Sequence, residues 1–216
     1  MTQGIYGKYI KRLLDIIFAA GMLVVLSPVL LVTAILVRVK LGSPVIFHQN
    51  RPGYQEKIFG LCKFRTMTDG RGADGKLLPD KDRLTPLGKT LRRTSIDELP
   101  ELWNILKGDM SFIGPRPLLI EYLPYYTERE QLRHTVRPGL TGLAQASGRN
   151  LVNWDRRLEL DAQYVENLSF AMDCKVIIMT IKTVLGHSDT VAEDTNAAEG
   201  NLARIRREKM QKKEPA

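Results

Sequence analysis

Residues 13–37 read LLDIIFAAGMLVVLSPVLLVTAILV, an apolar run carrying one charge, Asp15, near its start. Nothing constrains this chain more, because such a stretch cannot be left facing water. Its length matches one membrane-spanning helix. Removal as a signal peptide is not expected, since the run is too long and no small-residue cleavage site follows it. Two features weigh against simple spanning. Ser27-Pro28 falls in the middle, where proline removes a backbone hydrogen bond and crowds the preceding turn. That alone is weak, because many spanning helices tolerate a proline kink. The flanks are more telling: Lys8, Lys11 and Arg12 precede the run, and Arg38 and Lys40 follow it. A spanning helix concentrates basic residues at its cytoplasmic end. Basic residues at both ends suit a helix that enters, turns at Ser27-Pro28 and leaves on the same face. Each arm would then reach roughly 15–21 Å, short of the ~30 Å hydrocarbon core. On these features alone the re-entrant and spanning readings stand level.

From Gly42 onward the composition is that of a cytosolic domain. Two short strands are expected at residues 45–48 and 57–65, joined by a turn at Arg51-Pro52-Gly53. The segment DGRGADGKLLPDKDR is a solvated loop; its aspartates lack EF-hand spacing. The chain has 32 Lys plus Arg against 24 Asp plus Glu, a formal charge of +8. That excess suits an anionic partner: nucleic acid, a membrane surface or phosphorylated substrates. Cys62 and Cys174 have no Cys or His companions, so neither a disulfide framework nor a zinc site is expected, and a reducing compartment fits. His48, His134 and His187 lack ligand spacing and are read as ordinary surface or satisfied histidines.

The stretch TSIDELPELWNILKGD sets Asp97 and Glu98 side by side. Ser95 with Glu98 three residues on matches a capping box, and Leu99, Leu102, Trp103 and Leu106 recur on one helical face up to Lys107-Gly108. On that reading Glu98 is a cap and Asp97 complements the helix dipole, which would lower its pKa. Beyond it, Gly114-Pro115-Arg116-Pro117 holds one arginine between two prolines in a stiff segment, which a surface arginine does not need and which would suit an arginine aimed at a phosphate. VRPGLTGLAQASGRN, with Gly139, Gly142 and Gly148 between Arg137 and Arg149, is a candidate phosphate cradle, although it matches neither Walker A nor GxGxxG. Helical patterning returns in NWDRRLELDAQYVENLS and in DCKVIIMTIKTVLGH, whose apolar run is too short to span. Residues 118–126 and 176–185 are expected as interfacial amphipathic helices. The C-terminal IRREKMQKKEPA is expected to be a disordered basic tail, in solution or on anionic lipid.

Six blocks occur in order: SPVLL, QNRPG, KFRTM, IDELPELWNILKGDMSFIGPRP, RPGLTGLAQASGR and LDAQY. Together they resemble the bacterial sugar transferases, the monotopic polyprenyl-phosphate phosphoglycosyl transferases, over residues 9–188. In size, and in the phrases EYLPYY and ENLSF, the chain is most similar to the small PglC-type enzymes. Those transfer N,N′-diacetylbacillosamine 1-phosphate from its UDP conjugate to undecaprenyl phosphate. The resemblance implies an α+β, mainly helical monotopic membrane protein. Residues 1–41 would form a re-entrant membrane helix broken at Ser27 and Pro28, residues 42–190 the cytoplasmic catalytic domain, and residues 191–216 the tail. Only the catalytic core is expected, without further N-terminal spanning helices, on the cytoplasmic face of the bacterial inner membrane.

The same resemblance implies a catalytic pair, Asp97 and Glu98, and a magnesium ion held by Glu98 with Asp97. Asp97 would attack the sugar-bearing phosphorus of a UDP-sugar, release UMP and carry the phospho-sugar until undecaprenyl phosphate takes it. Arg116 is expected to clamp a phosphate, and Lys63, Arg92 and Arg149 to meet donor phosphate or uridine. Asp161 would touch substrate or orient a partner side chain. Partners are then a UDP-sugar, undecaprenyl phosphate and membrane lipid, with no nucleic acid; the oligomeric state stays open. Two rivals remain. One is the same reaction with UDP-glucose, UDP-galactose or UDP-N-acetylgalactosamine. The other is a membrane-anchored basic binding protein, for which Asp97→Asn would be silent.

Overall fold

The computed structural model of the chain describes residues 4–148, 153–186 and 201–211. A π-helical turn, Tyr6–Ile10, leads into α1 (Lys11–Val25), and α2 (Ser27–Leu41) follows after a bend of 63°. The break falls at Leu26, one residue before Ser27-Pro28. Pro28 sits in the first turn of α2, where its missing N–H costs nothing, and the Ser27 hydroxyl donates to the Val24 carbonyl at 2.7 Å. Among the described residues no single helix is long and apolar enough to cross a membrane; the bent pair passes that test jointly.

Two hydrophobic clusters hold the hairpin to the rest of the chain. Ala19 packs with Phe59, Leu61, Leu102, Ile105 and Met110, and Val37 packs with Phe64 and Leu91. Its other sides stay uncovered, with Phe18, Val24, Val25, Leu31, Val32, Ile35 and Val39 all exposed. An exposed apolar surface of this extent marks a contact with a membrane or a partner.

β1 (Ile46–Pro52) and β2 (Ile58–Phe64) pair antiparallel, Ile46 opposite Phe64 and Pro52 opposite Ile58, around a short 3-10 turn at Tyr54–Glu56. The expected hairpin is present, with a longer first strand and the reversal three residues later. Within the expected loop, α3 (Asp80–Arg83) adds one turn before α4 (Pro86–Arg93), which Thr85 caps by accepting from the Gly88 N–H. Next come α5 (Glu101–Lys107), β3 (Ser111–Ile113), α6 (Glu128–Gln131), β4 (Gly139–Thr141) and α7 (Leu143–Ala146). β3 and β4 pair in parallel, Ser111 opposite Gly139. The long helices α8 (Trp154–Glu166) and α9 (Phe170–Gly186) pack against that pair through Ile113, Val136, Leu160, Tyr164 and Val176.

Two expectations are corrected. Residues 118–126 present no open amphipathic face: Leu118, Tyr122 and Tyr126 are buried against Trp154 and Leu158, and Ile120–Tyr125 is 3-10. The tail is ordered over α10 (Leu202–Gln211), because Leu202 and Ala203 bury themselves in the same cluster. α9 does leave Ile177, Ile178, Ile181, Val184 and Leu185 exposed, as its pattern predicts.

Candidate active site

The site is assembled on β2, α5 and the segment after β3. Asn104 of α5, fully buried, acts as an extra strand edge for β2. Its Oδ1 accepts the Cys62 N–H at 2.9 Å and its Nδ2 donates to the Gly60 carbonyl at 2.8 Å. That pairing sets Lys63 of β2 against the turn before α5. There the capping box does not form: Ser95 is left-handed (φ 55°) and makes no side-chain cap, and Ile96–Glu98 is a 3-10 turn. A left-handed non-glycine residue stores strain, of order 1–3 kcal/mol, directly beside the acidic pair.

Freed from capping, Glu98 receives two cations on one oxygen. Lys63 Nζ and Arg116 Nη2 each donate to its Oε1 at 2.6 Å. Burial acts to raise the Glu98 pKa, but Arg116 and Lys63 outweigh it and hold the carboxyl well below the usual range. Lys63 also lies 3.3 Å from Glu101, which is 2% exposed. Burial, helped by the charge of Glu98, pushes Glu101 up to about 7 against the pull of Lys63.

Asp97 is 6% exposed, and its Oδ1 is buried without a hydrogen bond. Burial first, then Glu98, raises its pKa, opposed by Lys63, Arg92 and Arg116. This corrects the expectation that a helix N-terminus lowers it, because a 3-10 turn and not a helix start follows Ser95. Arg92 is tied by its Nε to the Thr66 hydroxyl at 3.1 Å, and its charge acts to lower the Asp97 pKa.

Asp161 stands apart from this cluster. It accepts from Arg133 Nη2 at 3.0 Å, and the same nitrogen donates to the Arg116 carbonyl at 2.6 Å; Nη1 reaches the Tyr126 hydroxyl at 2.8 Å. Asp161 thus pairs with Arg133, whose Nη2 also holds the carbonyl of Arg116. The glycines of RPGLTG also have a different task from cradling phosphate. A Cβ on Gly139 would lie 2.1 Å from the Gly114 nitrogen, and one on Gly142 would lie 2.2 Å from its carbonyl oxygen. They let two backbones touch, so that β4 can seat the Pro-Arg-Pro segment. Arg149 lies outside the described residues.

Glu101, Arg133 and Asn104 were not singled out in the sequence. Glu101 had a signal, since it lies four residues after Asp97 and three after Glu98, the spacing of one helical face. Arg133 and Asn104 had none, because the partners that give them their roles, the Arg116 carbonyl and the β2 backbone, lie 17 or more residues away.

Among the described residues no three of His, Cys, Asp and Glu converge as a protein-only metal cage. Magnesium asks for less: one or two carboxylates, with phosphate oxygens and waters completing the shell. The unbonded Oδ1 of Asp97, and a Glu98 whose two hydrogen bonds both fall on Oε1, fit that demand. In chemical terms the site joins a sequestered carboxylate to two fixed cations and a further arginine, an arrangement suited to a dianionic phosphate group.

Comparison with known proteins matches residues 6–187 to the bacterial sugar transferase family. The chain is 53% identical over 176 residues to the uncharacterized sugar transferase EpsL of Bacillus subtilis, covering 82% of this chain and 87% of that one. It is 41% identical over 181 residues to the UDP-glucose:undecaprenyl-phosphate glucose-1-phosphate transferase of Klebsiella pneumoniae, covering 79% and 39%. It is 38% identical over 186 residues to the UDP-N-acetylgalactosamine-undecaprenyl-phosphate N-acetylgalactosaminephosphotransferase of Aeromonas hydrophila, covering 82% and 44%. The chain thus spans less than half the length of these last two relatives.

Proposed function

The chain belongs to the bacterial sugar transferase family, and from that premise we propose that it is a phosphoglycosyl transferase. It moves a sugar 1-phosphate from a UDP-sugar to undecaprenyl phosphate and releases UMP. One observation carries this reading: Asp97 is buried with an unbonded carboxylate oxygen beside the Lys63–Glu98–Arg116 ion cluster.

Donor and acceptor are both anionic, and a carboxylate nucleophile splits their encounter into two displacements. An Asp97 oxygen attacks the sugar-bearing phosphorus. The bond from that phosphorus to the bridging oxygen breaks, and its electron pair leaves with UMP. An oxygen of undecaprenyl phosphate then attacks the same phosphorus, and the pair of the Asp97–phosphorus bond returns to the carboxylate. Neither displacement requires a protein proton. Arg116 and Lys63, already fixed by Glu98, face the phosphoryl oxygens where charge accumulates. Arg92 and Arg149 meet the donor's remaining phosphate or uridine. Bound magnesium, held by Glu98 and Asp97, would neutralise phosphate charge as a Lewis acid.

The hairpin α1–α2 supplies the height at which this chemistry occurs. Its bend, its uncovered apolar sides and its basic residues at both ends support a re-entrant, monotopic placement on the cytoplasmic face of the bacterial inner membrane. The polyprenyl headgroup then meets the site at the interface.

For the sugar, the resemblance to PglC-type enzymes favours N,N′-diacetylbacillosamine, hence protein glycosylation. The relatives' names span glucose and N-acetylgalactosamine. UMP release by purified protein with undecaprenyl phosphate and a panel of UDP-sugars tests both levels. The diacetylbacillosamine donor should turn over fastest. Preference for UDP-glucose, UDP-galactose or UDP-N-acetylgalactosamine would replace the sugar, and silence with every donor would remove the reaction.

A further inference from the structure

A cavity of about 170 Å³ opens where the first turns of α1 meet the ends of β3 and the segment before β4. Lys8, Lys11, Arg12 and Arg137 line it, with Asp15 as the sole carboxylate and Tyr54 at one side. None of Lys63, Asp97, Glu98 and Arg116 does. It is nevertheless adjacent to the site, because Gly53 and Pro138, chain neighbours of Tyr54 and Arg137, share a smaller cavity with Arg116.

The charges in this cavity are unevenly answered. Lys11 is neutralised by Asp173 at 2.6 Å. Asp15 spends Oδ1 on the Ser111 hydroxyl and the Phe112 N–H, each at 3.1 Å. Among the described residues Arg12 donates to the Ile105 and Leu106 carbonyls, Arg137 donates to the Gly108 carbonyl through Nε and lies over the Tyr54 ring at 5.9 Å, and Lys8 sits 5.2 Å from the Tyr9 ring. Three cations therefore share one carboxylate; Arg12 spends both Nη atoms on carbonyls, while Arg137, bonded through Nε, presents the planar Nη fork that suits phosphate oxygens.

The position of the cavity narrows the source of the anion. It lies at the basic foot of the apolar hairpin, where Tyr6 and Phe170 stack edge-to-face at 5.9 Å and Tyr9, Ile10 and Leu13 are exposed. Aromatic side chains of this kind gather at the membrane–water interface. The volume is below the roughly 300 Å³ at which small-molecule sites begin, so a headgroup fits and a nucleotide sugar does not.

We propose that this cavity binds the phosphate of a lipid headgroup through Lys8, Arg12 and Arg137, with the lipid chains lying along α1. The assignment rests on the interfacial placement of the hairpin, and not on chemistry at Asp97.

The test is native mass spectrometry of purified protein in a neutral detergent. Wild type, Lys8→Gln/Arg137→Gln and Asp97→Asn are titrated with dioleoyl phosphatidylglycerol or dioleoyl phosphatidylcholine. Two lost cations should weaken phosphatidylglycerol retention about 10- to 30-fold, with little change for phosphatidylcholine. Asp97→Asn should bind as wild type does, so that a failed transferase reading leaves this result standing. Lys8→Glu, at an exposed position, should weaken phosphatidylglycerol retention even if the double variant fails to fold. Displacement of phosphatidylglycerol by undecaprenyl phosphate identifies the phosphate as the acceptor's; resistance to it identifies a bulk phospholipid. Both support a lipid phosphate. Displacement by millimolar inorganic phosphate alone would make this a soluble-anion site and overturn the lipid assignment. Equal retention by wild type and Lys8→Glu would overturn the site.

Discussion

Arg116 is poised by what surrounds it: Pro115 and Pro117 stiffen its backbone, Arg133 holds its carbonyl, and Glu98 takes one guanidinium nitrogen. If the remaining fork grips a phosphate, ammonium cannot replace it. Arg116→Lys should lose turnover nearly as far as Arg116→Ala, by roughly 30- to 1,000-fold for a contact of ~2–4 kcal/mol. Full activity in Arg116→Lys would leave only a point charge. Glu101 offers a different test. Its carboxyl is raised from 4.5 to about 7 by burial and by Glu98. Between those values the unfolded chain has released a proton that the folded chain keeps, so this group lowers stability as pH rises through the window. Glu101→Gln should flatten the fall of Tm from pH 5 to pH 7; an unchanged slope would contradict the assignment. Asp97, Glu98, Lys63 and Arg116 could be found in the sequence because they belong to recognisable blocks. The supports could not: Arg133 and Asn104 acquire their roles only when distant segments meet.

Among the elements, the β3–β4 pair and the hairpin carry the placement of the site. Gly142→Ala would set a methyl 2.2 Å from the Gly114 oxygen, a backbone atom that cannot move without shifting Arg116. Overpacking of this kind costs about 1–3 kcal/mol, so a lower Tm and a loss of UMP release should appear together. Gly21→Ala in α1, with nothing within 4 Å, should leave both unchanged. The hairpin was legible as an apolar run with a break, and its bend follows from the proline. Its attachment was not. Lys11 and Arg12, read as topology signals, are fastened to Asp173 and to the end of α5, and Asp15 is fastened to β3. If both ends face the cytoplasm, cysteines placed at Thr2 and Ser43 should resist an impermeant thiol reagent in intact cells. Labelling of the Thr2 site alone would establish a spanning helix. Replacing Ser27 and Pro28 by Ala and Leu should favour spanning, because it restores continuous helix.

At the scale of the whole molecule, an uncovered apolar hairpin, the open face of α9 and a cationic site combine to fit a reaction between a soluble and a lipid-borne phosphate. The order of α10 could not be anticipated from its polar composition, since its anchors, Leu202 and Ala203 in a buried cluster and Arg206 paired with Glu130 and Asp155, depend on segments far away in the chain. A membrane-anchored binding protein would share the hairpin and the charge, but it has no use for a buried carboxylate with a free oxygen beside fixed cations. The central claim is that the phospho-sugar passes through Asp97, and donor labelled in its sugar phosphate tests it without lipid acceptor present. Wild-type protein should capture the label and release UMP, while Asp97→Asn, of the same size, should fold and capture nothing. If no label becomes protein-bound, and UMP appears only when undecaprenyl phosphate is also present, the transfer is direct and Asp97 is not the nucleophile.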